Sequence, residues 1–194
     1  MSWAFYLKAY DVALAATEGV QKARAHALGK TEMRSQHPNF PDDPPERQKF
    51  LKTLERRISD TFDYLPRYAI EIYDVAHTAH TNGLEYMTCA HHGIGGRPNA
   101  VMLLMDDTLS LLQIRQRGAI GEIDMLQAAG LNLILKCNRK RVSSAFGKKN
   151  PLEVNRSVYF LTKEDLISHH SITSGEEEKF KLYNTRLRRA VALK

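Results

Sequence analysis

Cysteine, long apolar runs and acidic charge in its C-terminal third are what this 194-residue sequence has little of. Two cysteines, Cys89 and Cys137, are too few for the disulfide framework of a small secreted domain. The opening residues Met1 to Lys8 show no charged leader ahead of a long apolar stretch, so no secretory signal is expected. Together these point to a cytoplasmic or other reducing intracellular compartment. The longest strongly apolar run, Ala100 to Met105, falls far short of the roughly 20 residues a membrane helix needs, so no membrane partner is expected. No acid occurs from Lys136 to Lys149, and none follows Glu178.

What remains is the composition of a folded domain. A hydrophobic content of 43% with 26% charged residues excludes disorder over most of the chain. The formal net charge of +6 favours an anionic partner.

Apolar spacing predicts an N-terminal helix over 1–29, stopped at Gly29, then a Pro-rich linker or loop over 30–45. The main domain, 46–194, opens with an amphipathic helix marked by Leu51, Leu54, Ile58, Phe62 and Leu65. A helical pattern resumes from Tyr68 to Thr81. Gly93 to Gly96 reads as a turn between helices, and Pro98 to Arg117, apolar around most of its circumference, as the central core helix. A shorter helix is expected between Gly118 and Ala129. Leu131 to Leu135 and Val158 to Leu161 are β-type runs flanking a basic connection, so a basic β-hairpin is expected around 131–161. A brief helix ends near His170, and Ser174-Gly-Glu-Glu177 caps a terminal one. The expected fold is mostly α with a small β-hairpin (α+β). It has a helical bundle core and a possible winged-helix-like C-terminal half, with Val142 to Leu152 as the wing.

The basic connection carries the functional reading. Lys136, Arg139, Lys140, Arg141, Lys148 and Lys149, with Arg156 beyond, match the whole net excess, and such crowding of like charge is suited to a polyanion. Arg186, Arg188 and Arg189 add a second group in the terminal helix. The expectation is a non-enzymatic protein without cofactor that contacts the phosphate backbone of RNA or DNA. It would work in a nucleoprotein or other oligomeric assembly. An alternative is a scaffold whose cations meet an acidic protein surface.

Two other constellations bear on chemistry. His77, His80, Cys89, His91 and His92 are metal-ligand types, but their spacing matches no standard zinc signature. The segment Gly121-Glu122-Ile123-Asp124, followed by Gly130 and the apolar run to Leu135, resembles the active-site hairpin of PD-(D/E)xK-type nucleases. In that family an acid on one strand and an E-x-K on the next bind a divalent metal and activate water. The resemblance implies a metal-dependent nuclease, intact or degenerate, using Glu122 and Asp124. Cys137 stands at the expected second acid and Arg139 at the lysine.

Overall fold

The apolar stretch beginning at Ala100 doubles back at Asp106–Asp107, and this reversal sets the architecture. The Asp106 carboxylate accepts hydrogen bonds from the Thr108 amide (3.1 Å) and hydroxyl (2.6 Å), while Asp107 takes a left-handed φ of 59°. Aspartate tolerates that conformation better than most residues.

A computed structural model describes residues 6–36, 69–73, 86–115, 119–161 and 167–192. In chain order these form β1 (Leu7–Lys8), α1 (Ala9–Glu18), α2 (Val20–Gln36), β2 (Ala69–Tyr73), β3 (Met87–Cys89), β4 (Ile94–Gly96), β5 (Ala100–Leu104) and β6 (Thr108–Ile114). There follow α3 (Glu122–Ala145), β7 (Glu153–Leu161), β8 (Ile167–Ser171) and α4 (Ser174–Ala192). A five-stranded mixed sheet runs β2-β5-β6-β7-β8; only the β6–β7 pair is parallel, and α3 makes the crossover between them. A smaller sheet runs β1-β4-β3.

One face of the large sheet builds the core. Val101, Leu103, Leu109, Leu111, Val158 and Phe160 pack with Val12 of α1, Leu126, Leu131 and Ile134 of α3, and Phe180 and Leu187 of α4. The other face is buried too, through Met102, Leu104 and Leu112. Gly130 lies inside α3 where α4 crosses it. A Cβ there would stand 2.3 Å from the Phe180 ring and 3.0 Å from the Ala9 methyl, so only glycine allows this approach. Cys89 and Cys137 form a disulfide that joins β3 to α3, their Cα atoms 5.6 Å apart.

Several expectations are corrected. The fold is α+β with two mixed sheets, not a helical bundle with a small hairpin. The supposed core helix from Pro98 is the β5–β6 hairpin; strands buried on both faces lose the period-two alternation and read as continuous apolar runs. Leu131 to Leu135 is the middle of a 24-residue helix, because Gly130 serves packing and does not end the helix. That removes the basic hairpin around 131–161 and the winged-helix reading, although Val158 to Leu161 is the end of β7 as expected.

Residues 69–73 and 167–171 are strands where helix was expected. The first helix is two, broken at Gly19 (φ 103°), and α2 runs through the start of the expected linker to Gln36. The amphipathic helix from residue 46 lies outside the described residues. The terminal helix α4 is present, its capping box made by Thr173 and Glu176: Glu176 accepts from the Thr173 amide at 2.7 Å and its own amide donates back to the Thr173 hydroxyl at 3.2 Å. No helix among the described residues is long and apolar enough to cross a membrane. The disulfide departs from the reduced thiols expected, since a reducing compartment keeps such pairs open.

Candidate nucleic-acid interface

The basic segment is the C-terminal half of α3 and the turn after it, not a loop between strands. Two links hold this half of the helix in place: the disulfide, and Asn138, whose amide donates to the Thr88 carbonyl of β3 at 2.9 Å and to the Ile134 carbonyl at 2.8 Å. Val142 and Ser143 are buried below the charges. The Ser143 hydroxyl accepts from the Leu152 amide at 2.9 Å, tying down the chain that leads to β7.

The predicted cations divide into two sets. Lys136 (3.5 Å) and Arg156 (3.7 Å) both face Glu177 of α4, and Lys148 pairs with Asp107 at the β5–β6 turn at 2.8 Å. Arg139, Lys140, Arg141 and Lys149 are exposed. Helix-dipole complementarity does not account for the exposed cluster, because the last turn of α3 carries no cation. Burial pushes the Glu177 carboxyl up, but the Lys181 hydrogen bond and the Lys136 and Arg156 charges outweigh it and hold it below the usual glutamate range.

Arg186, Arg188 and Arg189 end α4. The Arg186 guanidinium lies over the Tyr183 ring at 5.0 Å, and Arg188 reaches the His92 carbonyl at 3.5 Å. Arg189, in the last turn, suits the helix dipole. The turn joining β3 to β4 is the common neighbour. Asn184 and Arg188 of α4 bond to its His92 carbonyl, while β3, which leads into it, carries the two links to α3. Two cationic stretches distant in sequence are thus held against one small sheet.

Of the metal-ligand types, His77 and His80 lie outside the described residues, and Cys89 is bonded to Cys137. His91 and His92 meet ring to ring at 4.6 Å. Burial, helped by His91 and Lys181, pushes the His92 imidazole below the usual histidine range. Among the described residues no group of three or more His, Cys, Asp or Glu is arranged to hold a metal ion.

Glu122 and Asp124 are in the first turn of α3, so the hairpin inferred at Gly121 to Arg139 does not exist. Glu122 pairs with Lys179 at 2.6 Å. Asp124 accepts from the Gly121 amide at 3.0 Å and pairs at 2.5 Å with Arg115, whose guanidinium also donates to Gln127 at 3.0 Å. Gln113 lies in β6, and Arg115 directly follows that strand. The β5–β6 register runs from the Leu103–Leu109 pair to the Ala100–Leu112 pair. By strand alternation with the core residues Leu109 and Leu111, Gln113 lies on the face of β6 turned toward α3.

No known family model matches the chain, and no curated protein matches it significantly. Nine solved chains match in fold comparison. One of them, the crystal structure of SSO0001, aligns over 100% of this chain and 78% of that chain at a TM-score of 0.44 and 12% identity.

Proposed function

We propose that this chain is a non-enzymatic nucleic-acid-binding protein that contacts the phosphate backbone through the C-terminal half of α3, as part of a nucleoprotein or other oligomeric assembly. The carrying observation is the exposure of Arg139, Lys140 and Arg141 in a stretch without acid from Met125 to Leu152. Their backbone is fixed by the helix, the disulfide and Asn138, so less ordering entropy opposes binding than for a loose loop. Phosphate contacts position a nucleic acid without reading its bases, so weak sequence preference is expected.

The test is anisotropy of a labelled oligonucleotide across a salt series. Log K should fall linearly with log salt, and the Arg139→Ala/Lys140→Ala/Arg141→Ala variant should lose on the order of tenfold or more in affinity, with a slope shallower by about 2.7 for B-DNA. A flat salt dependence, or a triple variant that binds like wild type, sinks the reading. An acidic protein partner would instead co-purify without raising ultraviolet absorbance relative to the protein signal. In a cytoplasmic or other reducing compartment Cys89 and Cys137 would be thiols and the helix and Asn138 alone would fix these cations, which thiol titration after alkylation in the cell decides.

A further inference from the structure

The disulfide between β3 and α3 meets water from one side. Cys89 is 1% exposed and belongs to the core, whereas Cys137 is an exposed residue of α3. A nucleophile from solvent therefore has access to the bond through Cys137. The charge beside that position is positive. Lys140 and Arg141 stand three and four residues on, the spacing that puts side chains on one helix face, and both are exposed. Helical side chains lean toward the N-terminus, which brings these two cations back over Cys137. No acid occurs in the chain from Met125 to Leu152, and none from Tyr86 to Met105 around Cys89. Glu177 of α4 approaches the adjacent Lys136, but that carboxylate is shared among Lys136, Arg156 and Lys181.

We propose that Cys137 is a modification site for anionic low-molecular-weight thiols, which open the disulfide there and stay attached as a mixed disulfide. The thiolate of the incoming molecule attacks the Cys137 sulfur, the Cys89–Cys137 bond breaks, and its electron pair leaves on Cys89. The proton given up by the incoming thiol ends on Cys89, so the exchange needs no other oxidant or reductant. Positive charge beside the attacked sulfur draws in an anionic thiol and favours its thiolate form. Cys89 ends as a neutral thiol in the core, where it serves as a small apolar side chain. The adduct then sets negative charge beside Lys140 and Arg141. It also cuts one of the two links from β3 to α3, leaving Asn138 to hold the helix. Weaker phosphate binding follows from both changes; that consequence rests on the nucleic-acid reading above, and the modification itself does not.

Glutathione is the probe, with neutral 2-mercaptoethanol and cationic cysteamine for comparison. Wild type isolated without reductant is mixed with a small excess of each thiol, trapped with an alkylating reagent and weighed intact. With glutathione the protein should gain one thiol and one alkyl group, and peptide mapping should place the thiol on Cys137 and the alkyl group on Cys89. Corrected for thiolate fraction, glutathione should react about tenfold faster than cysteamine at low salt. That ratio should shrink at about 1 M salt and in the Lys140→Ala/Arg141→Ala variant. Should the variant fail to fold, the salt dependence of wild type decides. An adduct on Cys89, two alkyl groups with no adduct at any time, equal rates for the three thiols, or two alkyl groups taken up before any thiol is added would each overturn the proposal. The isolated adduct should bind an oligonucleotide several-fold more weakly than unmodified protein, and equal binding would remove the stated consequence. Unmodified protein that binds no oligonucleotide sinks the α3 interface and leaves the mass result standing, so the two failures are read separately.

Discussion

At the N-terminal end of α3, Asp124 and Gln127 are closed onto Arg115, whereas about 24 Å along the same helix Arg139, Lys140 and Arg141 face solvent. The first end joins the helix to the end of β6 by a charge pair with both side chains mostly out of water, 17% and 16% exposed. The second is anchored from beneath, by Val142, Ser143, Asn138 and the disulfide, and its charges are left pointing outward. The pair at the first end is largely sequestered from water, whereas the cations at the second are exposed. One helix therefore carries a sequestered charge pair at one end and an exposed cationic cluster toward the other.

The comparison can be broken at three strengths. The largest effect is expected from the link that holds the cationic half down. Replacing Cys89 and Cys137 together with Ala opens a loop of 48 residues, for which loop-closure entropy implies a loss of about 4 kcal/mol. A denaturant midpoint equal to that of the untreated wild type would mean that the pair is not bonded.

Next comes the closed end. Arg115→Met leaves Asp124 without its guanidinium and should cost about 2–3 kcal/mol, the partial exposure of the pair keeping it under the cost of a fully buried one. Oligonucleotide affinity should be unchanged. The α3 triple alanine variant should behave as the mirror image, keeping its unfolding midpoint and losing affinity. Equal loss of both properties in either variant would erase the distinction between the two ends.

The smallest effect belongs to Glu177, which joins Lys136, Arg156 and Lys181. Its carboxyl is held below the usual range in the folded protein, so it stabilises fully above the unfolded value of about 4.3 and loses that contribution as pH falls through the folded one. Glu177→Gln should flatten that part of the stability curve in acid; an unaltered acid limb would show that Glu177 contributes nothing there.

Parts of this arrangement were legible in the residues. The cation cluster, the β-type run Val158 to Leu161 and the capped terminal helix could all be read from local pattern. The nuclease-like hairpin read at Gly121 to Arg139 was wrong, because Glu122 and Asp124 open a helix. Gly-Glu-Ile-Asp matches the motif by its letters, but local pattern alone does not show whether such a segment is strand or helix. Gly130 misled because a glycine inside a helix looks like its end until the Phe180 ring is seen resting on it.

By itself, then, the sequence determined where positive charge gathers, that a capped helix begins near Ser174 (its box proving to be Thr173 and Glu176, one residue earlier than read), and that apolar surface suffices for a core. These follow from neighbours along the chain. Only tertiary structure decided that the longest apolar stretch is a hairpin and not a helix, since burial on both faces erases the alternation that marks a strand. It also decided which cations are spent on Glu177 and Asp107 and which stay exposed, because those partners lie up to 41 residues away in sequence and meet only through packing.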